Sequence, residues 1–330
     1  MESRAAKATT PTSSAGSRAQ ALTLANRLPG AEWRTRFAPA PTGYLHLGHL
    51  VNAIYVWGIA RAFGGRVLLR VEDHDRTRCR PEYERSLLED LDWLGFEPDE
   101  GSTASYMTRH MSGDVTPHPF RQSDNRSRYA NALATLDAQG LVYACTCTRR
   151  DIADAVGHTP GEETRYPGTC RDRSTALDTF ARRVRLDERE ERFDDLRLGP
   201  ITQVPSEQCG DVLARDRHGS WTYQFAVSVD DMQQEVDVVI RGEDLVASTG
   251  RQLSLARMLG RARAPQYLHH PLLLRPDGTK LSKAAHDTSL RERRARGASA
   301  ESLIGEAAFL AGLTRAQVEI RGSEVVSLFR

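Results

Sequence analysis

The sequence predicts an α/β fold whose parallel sheet is interrupted by an inserted subdomain and followed by a short helical C-terminal segment. Three observations predict this architecture. Strand and helix patterns alternate along residues 34–95, and that order builds a parallel sheet. Between residues 143 and 205 the pattern becomes irregular and contains three clustered cysteines. Strand and helix patterns then resume and continue to residue 313, as expected when a sheet is completed after an insertion.

The changes of pattern divide the 330 residues into five expected segments. They are a disordered N-terminal tail at 1–30, the first half of the α/β domain at 31–142, the insert at 143–208, the second half of the domain at 209–290, and the helical end at 291–330. The tail is rich in Ala, Ser and Thr and has no apolar core of the kind a secretion signal needs. We expect order to begin near Trp33.

The first half of the domain is predicted as strand, helix, strand, helix. Residues 38–43 contain two prolines and a glycine, which excludes regular structure there. Gly64 stops the first helix, and Pro81 and Gly95 bracket the second. The predicted elements are a strand ending at Phe37, a helix beginning at Leu47, a strand at 67–71 and a helix at 81–94.

The remaining elements are predicted from periodicity. Residues 102–119 are polar and show no period, so we expect a surface loop there. Apolar residues alternate with polar ones over 221–227 and again over 236–240, which predicts two strands. Helices are predicted at 128–140, 244–259 and 303–313, and a further strand at 272–274.

The composition indicates a globular protein whose net charge is too small to bind nucleic acid by overall charge alone. The 45 basic and 44 acidic residues give a net charge of +1, which excludes a polybasic chain and an acidic, self-repelling one. Five cysteines, an odd number, do not form a disulfide framework. No apolar run approaches the ~20 residues of a membrane helix, so we expect a cytoplasmic protein without a membrane partner.

His46-Leu47-Gly48-His49 stands where the proline-rich loop becomes a helix. A helix N-terminus presents unpaired N–H groups and a partial positive charge, so it favours phosphate. Both imidazoles can donate hydrogen bonds to phosphate oxygens, and Gly48 leaves room for a flat ring. Taken alone, the pattern fits an ordinary polar helix start equally well.

Lys280-Leu281-Ser282-Lys283-Ala284 follows a Pro-Asp-Gly turn. Two ammonium groups around a hydroxyl can neutralise a leaving pyrophosphate, whereas the simpler interpretation is a solvated basic loop. Only three of the 45 basic residues are lysines, and two of them stand here, which favours the functional interpretation. The sequence contains neither G-x-x-x-x-G-K-[ST] nor G-x-G-x-x-G, so a P-loop ATPase and a Rossmann dehydrogenase lose their main support.

Together, the two motifs resemble the paired signatures of class I aminoacyl-tRNA synthetases, with Leu47 and Leu281 in place of the usual Ile and Met. The loop and helix start at residues 36–49 resemble the glutamyl branch. Further matches to that branch are Arg70-Val71-Glu72-Asp73, Phe120-Arg121-Gln122-Ser123, Tyr223-Gln224-Phe225-Ala226 and Arg241-Gly242-Glu243-Asp244-Leu245. The length of the chain and the cysteine pattern resemble the short glutamyl-queuosine tRNA(Asp) synthetases.

This resemblance implies a Rossmann-like class I synthetase sheet with a zinc-binding insert. It also implies ATP-dependent activation of L-glutamate to glutamyl-adenylate, with Mg²⁺ accompanying ATP, and transfer of glutamate to queuosine in the anticodon loop of tRNA(Asp) by a monomer. Two alternatives stay open. One is a truncated glutamyl-tRNA synthetase that charges the tRNA 3′ end, and the other is a non-enzymatic RNA-binding paralogue.

The resemblance also implies roles for particular residues. The residues expected to act in catalysis are His46, His49, Lys280 and Lys283, and those expected to bind ATP are His46, Gly48, His49 and Lys283. Those expected to bind glutamate are Arg36, Phe37, Ala38, Pro39, Ala40, Glu72, Tyr223 and Arg241. The expected zinc ligands are Cys145, Cys147, Tyr166 and Cys170, with His158 as a rival to Tyr166. Without the resemblance, three reduced cysteines that happen to be near one another explain the cluster equally well.

Overall fold

The computed structural model describes residues 24–30, 32–112, 116–157, 163–173, 181–273 and 288–330. Residues 24–27 form one helical turn, and Arg27 Nη2 donates hydrogen bonds to Asp194 Oδ2 at 2.7 Å and to the Asp195 carbonyl at 3.0 Å. Regular structure therefore begins before Trp33, inside the range that we expected to be disordered.

The described residues form nine strands and ten α-helices. The strands are β1 (Arg34–Phe37), β2 (Arg66–Leu69), β3 (Val142–Cys145), β4 (Ala181–Val184), β5 (Glu191–Asp195), β6 (Gly199–Gln203), β7 (Val212–Arg215), β8 (Val238–Gly242) and β9 (Gln266–His270). The helices are α1 (Leu47–Ala62), α2 (Pro81–Leu94), α3 (Thr103–Ser112), α4 (Arg126–Ala138), α5 (Arg149–Val156), α6 (Pro205–Gln208), α7 (Tyr223–Gln233), α8 (Thr249–Met258), α9 (Leu290–Ala295) and α10 (Ala300–Leu310). Short 3₁₀ helices occupy Gln122–Asn125, Glu243–Ser248 and Gly322–Phe329.

The parallel sheet that the sequence predicts is present in both halves of the domain. Strand β1 pairs with β2, and β9 pairs with β8 and β5, all in parallel. The Asp237 N–H, just before β8, donates to the Arg34 carbonyl at 2.9 Å, so β1 lies beside β8. Strand β6 adds an antiparallel edge to β5. The predicted fold class is confirmed.

A second, antiparallel sheet has three strands in the order β3-β4-β7. Strands β3 and β4 come from the region of the predicted insert, whereas β7 follows its predicted end at residue 208. Helix α5 follows β3 and begins with a capping box, in which Thr148 and Asp151 bond each other's backbone N–H. Two of the three clustered cysteines lie at the end of β3 or just after it. The sheet therefore carries the candidate metal site.

Helix α2 begins and ends where the sequence predicts. Pro81 occupies the first turn, and Gly95 ends the helix with φ +74°, a conformation that glycine adopts without strain. The helix predicted at 128–140 starts two residues earlier, at Arg126, and the one predicted at 303–313 starts at Ala300. The segment predicted as one helix at 244–259 divides into a 3₁₀ turn and α8.

Three of the predicted elements are wrong. Residues 103–112 form α3 instead of a loop, held by the buried Tyr106, whose hydroxyl donates to the Leu69 and Phe120 carbonyls at 3.0 Å each. The alternation at 221–227 does not form a strand, because residues from Tyr223 onward belong to α7. The third strand of this half is β9, at Gln266–His270. Leu272 and Leu273 follow it outside any strand, and residue 274 lies beyond the described residues.

The C-terminal 3₁₀ helix packs against α1, in the first half of the domain. Phe329 packs on α1 so closely that a Cβ on Gly58 would lie 2.3 Å from its ring. Among the described residues, no helix is long and apolar enough to cross a membrane.

Candidate active site

A cavity of about 370 Å³ opens at the carboxyl ends of β1, β8 and β9. This is the edge at which open α/β sheets bind ligands. Its walls bring together eight residues that the sequence predicts for glutamate or ATP, namely Arg36, Ala38, His46, Gly48, His49, Glu72, Tyr223 and Arg241.

Other predicted residues lie elsewhere. Phe37 belongs to the core, 1% exposed, with its ring 5.2 Å from that of Trp57. Pro39 and Ala40 are not among the wall residues, but the Pro39 carbonyl accepts the Glu72 N–H at 3.1 Å and so helps to place that side chain. Lys280 and Lys283 lie outside the described residues.

The two histidines at the start of α1 are oriented by the backbone. His46 is the N-cap, and its Nδ1 accepts the Gly48 N–H at 3.0 Å. The His46 N–H in turn donates to His49 Nδ1 at 3.2 Å. Because each Nδ1 accepts a hydrogen bond, each ring carries its proton on Nε2. A Cβ on Gly48 would lie 2.9 Å from His46 Cε1. The absence of a side chain at Gly48 therefore leaves room for the His46 ring in this position.

Four buried charged side chains form a network under the cavity, and its members are Arg36, Arg70, Glu72 and Asp231. Asp231 Oδ1 accepts from Arg36 Nε at 3.1 Å and from Arg70 Nη1 at 2.8 Å. Arg70 Nη2 also donates to Glu72 Oε1 at 2.8 Å. Burial alone would raise the pKa of Asp231, but the two arginines lower it to about 2. The two cations and two anions balance, so the network is neutral overall.

Arg241 has a different environment. Its guanidinium donates to His269 Nε2 at 3.0 Å, to Gln252 Oε1 at 2.7 Å and to Thr249 Oγ1 at 2.8 Å. His269 Nδ1 bonds Asp195 at 2.7 Å, and burial lowers the pKa of this histidine despite Asp195. All the direct partners of Arg241 in the described part of the chain are neutral, so its positive charge remains available to an anion in the cavity.

Several wall residues escaped the sequence interpretation, among them Asn52 and His270. Their side chains lie 3.2 Å apart, and the His270 ring stacks on Tyr55 at 4.9 Å. Burial lowers the pKa of His270 to about 4. His270 could have been identified from the sequence, because it ends an apolar strand and the cavity lies at the carboxyl ends of the strands.

The predicted metal ligands also come together. The sulfurs of Cys145, Cys147 and Cys170 all lie within 4.8 Å of one another. The Tyr166 oxygen lies 3.5 Å from Cys145 Sγ and accepts the Cys170 N–H at 2.8 Å. A tetrahedral zinc with Zn–S of about 2.3 Å and Zn–O of about 2.0 Å separates sulfurs by about 3.8 Å and sulfur from oxygen by about 3.5 Å. The cluster is therefore compatible with zinc, whereas His158 lies outside the described residues.

The surroundings of the cluster favour the thiolate form at Cys170 but not at Cys147. Arg183 Nε donates to Cys145 Sγ at 3.3 Å, and the same guanidinium lies 3.6 Å from the centre of the Tyr166 ring. Against the effect of burial, hydrogen bonds from Thr146 lower the pKa of Cys170 to about 6, whereas burial raises that of Cys147 to about 11. A cation and a low-pKa thiol are what a sulfur-ligated metal site requires.

The parallel sheet and the histidines at the start of α1 define a class I aminoacyl-tRNA synthetase catalytic domain. The family model described as tRNA synthetases class I (E and Q), catalytic domain, matches residues 32–324. A glutamyl-Q tRNA(Asp) synthetase of Symbiobacterium thermophilum is 40% identical over 307 residues, which are 89% of this chain and 91% of that protein. The corresponding Pseudomonas paraeruginosa protein is 41% identical over 260 residues, 79% of this chain and 80% of that protein. The chain belongs to the glutamyl-Q tRNA(Asp) synthetase family and is a ligase of the aminoacyl-tRNA synthetase type.

Longer relatives are also similar. Glutamate–tRNA ligase 1 of Acidithiobacillus ferrooxidans is 37% identical over 303 residues, which are 90% of this chain but 61% of that protein. The crystal structure of an Elizabethkingia meningosepticum glutamate tRNA ligase in complex with its amino acid superposes with a TM-score of 0.70 at 25% identity, covering 90% of this chain and 65% of that one.

Proposed function

We propose that this ligase activates L-glutamate with ATP and then transfers the glutamyl group to queuosine in the anticodon loop of tRNA(Asp). The observation that carries the proposal is the cavity itself, which places Arg241 and Glu72 on walls shared with His46 and His49. Arg241 and Glu72 can bind the carboxylate and the ammonium group of an amino acid, and His46 and His49 can donate hydrogen bonds to the phosphates of ATP. The nearly full-length similarity to glutamyl-Q tRNA(Asp) synthetases supports the choice of acceptor.

In this proposal glutamate binds between Arg241 and Glu72, with Tyr223 against it. Arg241 takes a substrate carboxylate because its charge has no carboxylate partner among the described residues. Glu72 takes the ammonium group, since Arg70 occupies only its Oε1. Arg36 acts through Asp231, which it shares with Arg70, and thereby holds Glu72 in position.

The α-carboxylate oxygen of glutamate then attacks the α-phosphorus of ATP, and the bond to the bridging oxygen of pyrophosphate breaks. His46 and His49 donate Nε2–H to phosphate oxygens, and we assign the stabilisation of the leaving pyrophosphate to Lys280, Lys283 and Mg²⁺. No side chain acts as a covalent nucleophile, because positioning and charge stabilisation are sufficient.

We assign Cys145, Cys147, Cys170 and Tyr166 to one structural zinc ion. With four protein ligands such a site is closed to substrate and contributes to folding. Because the site lies beside β3 and β4, the bound zinc would stabilise the antiparallel sheet that contains these strands.

Two RNA substrates test the acceptor. One is the anticodon stem-loop of tRNA(Asp) with queuosine, which has no 3′-CCA end, and the other is full-length tRNA(Asp) without queuosine. With labelled glutamate and ATP, we expect only the first to be labelled. Labelling of only the second would establish charging of the 3′ end.

The non-enzymatic alternative is tested separately, by ATP–pyrophosphate exchange. We expect exchange that depends on glutamate, whereas a protein that only binds RNA would show none.

A further inference from the structure

A second cavity of about 470 Å³ lies beside the first. We call it the side cavity and define it by His74, Ser123, Arg126, His218, Ser220 and Trp221. His74 lines the side cavity, and its ring lies 6.2 Å from that of Tyr223, which lines the first cavity. The two cavities are therefore neighbours.

The side cavity collects polar groups that the protein leaves without partners. Among the described residues, no hydrogen bond or ion pair reaches the Arg126 guanidinium, the His218 ring or the hydroxyls of Ser123 and Ser220. They come from separate elements: Ser123 from the 3₁₀ helix before α4, Arg126 from the first residue of α4, and His218 and Ser220 from the turn after β7. Such convergence of unused donors is typical of a site for an anion.

The other charges on these walls are already committed. Arg121 donates to Asp73 at 3.2 Å and to Glu84 at 2.5 Å. Arg76 donates to Asp73 as well, at 3.0 Å. The carboxylate of Asp124 accepts the His118 N–H at 3.0 Å. Among the described wall residues, Arg126 is the arginine without a carboxylate partner.

The floor of the side cavity is aromatic. The rings of Trp221 and Tyr129 lie 5.8 Å apart, and the Tyr129 hydroxyl donates to Asp230 at 2.8 Å. In the described part of the chain, the Trp221 indole N–H has no acceptor. Phe225 stacks on the Trp221 ring at 5.7 Å and Arg215 lies over it at 5.4 Å, so the ring offers the cavity its N–H edge. A cation, hydroxyls and an indole N–H together match a phosphate and the hydrogen-bonding edge of an unstacked base, as in single-stranded RNA.

We propose that the side cavity binds the nucleotide next to queuosine in the anticodon loop, with Arg126 on its phosphate. The inference rests on the proposed function, because a nucleotide whose neighbour reacts in the first cavity must lie within one residue of it. It adds a contact that positions the RNA and takes no part in glutamate activation.

The test replaces Arg126 by alanine and uses the queuosine stem-loop as substrate. A charge-assisted phosphate contact of this kind is worth about tenfold or more, so kcat/KM for the stem-loop should fall about tenfold, mainly through KM. The slope of log(kcat/KM) against log[salt] should become shallower by about 0.7, the contribution of one phosphate in single-stranded nucleic acid. His218→Ala should show a smaller loss in the same direction.

Arg263→Ala is the matched control. Arg263 is exposed and without a side-chain partner among the described residues, and it precedes the amino end of β9, whereas the first cavity opens at the carboxyl ends of the strands. Equal kcat/KM values for the Arg126 and Arg263 variants would overturn the inference while leaving the proposed function intact. If the unmodified protein fails to label the stem-loop at all, the proposed function and this inference both fail.

Discussion

Replacing Asp231 by asparagine should destabilise the protein and weaken glutamate binding together. Asp231 is 6% exposed and accepts hydrogen bonds from both Arg36 and Arg70. Its pKa of about 2, against 3.8 for an ordinary aspartate, corresponds to roughly 2–3 kcal/mol of stability. The change takes the carboxylate partner from the buried Arg36, whereas Arg70 keeps Glu72, and breaking a buried ion pair typically costs about 3–5 kcal/mol. We therefore expect a loss of about 3 kcal/mol and a melting temperature lower by about 5 °C.

The pH dependence gives a second readout of the same group. Because the folded-state pKa of Asp231 lies below its unfolded value, its contribution is complete above about pH 4 and is lost as the pH falls toward 2. The difference in melting temperature between the parent and Asp231→Asn should be constant from pH 7 to pH 5 and should narrow below pH 4.

Asp194→Asn is the control, since the Arg27–Asp194 pair has a similar distance of 2.7 Å but side chains that are 29% and 63% exposed. Exposed pairs contribute about 1 kcal/mol or less, so this variant should melt close to the parent. The KM for glutamate should rise in the Asp231 variant alone. Equal melting temperatures for the two variants at pH 7 would refute the account of the buried network.

Three further changes test the other parts of the site. Lys283→Ala should lower ATP–pyrophosphate exchange roughly a hundredfold with a smaller change in KM, and activity within about twofold of the parent would contradict the role assigned to the loop. Metal analysis of protein purified without added zinc should find one zinc per chain, and Cys170→Ser should lose it and melt at a lower temperature; a metal-free parent protein would contradict the site. Gly48→Ala should raise the KM for ATP about tenfold, because the new Cβ would lie 2.9 Å from His46 Cε1, whereas Gly30→Ala, with open space around it, should leave the KM unchanged.

Local signals in the sequence predicted the elements best. Pro81 and Gly95 bracket α2 because each acts on its own backbone, and the start of α1 follows in the same way from the loop before it. Glu72 and Arg241 lie at the carboxyl ends of parallel strands, where a parallel sheet binds its ligands, so their arrival in one cavity follows from the fold class. The features that could be predicted are therefore those that residues close together in the sequence determine.

Two kinds of feature could not be predicted. Helix α7 is buried on nearly all sides, including Phe225, Ser228 and Asp231, so it has no exposed face to reveal a helical period, and its apolar residues imitate a strand. The partner of Arg36 is Asp231, 195 residues away, and no spacing rule connects them. Long-range pairing of buried charges is a property of the packed structure.

The balance of charge in the first cavity supports the role that we propose for the lysine loop. The hydrogen bonds at Nδ1 make His46 and His49 neutral donors, and the Arg36 charge is taken by Asp231. The proposed glutamate carboxylate takes Arg241. The described walls therefore offer ATP hydrogen bonds but no spare positive charge, although pyrophosphate gains negative charge as it leaves. In the proposed function Lys280 and Lys283 supply it, and their loss should therefore lower turnover more than it weakens substrate binding.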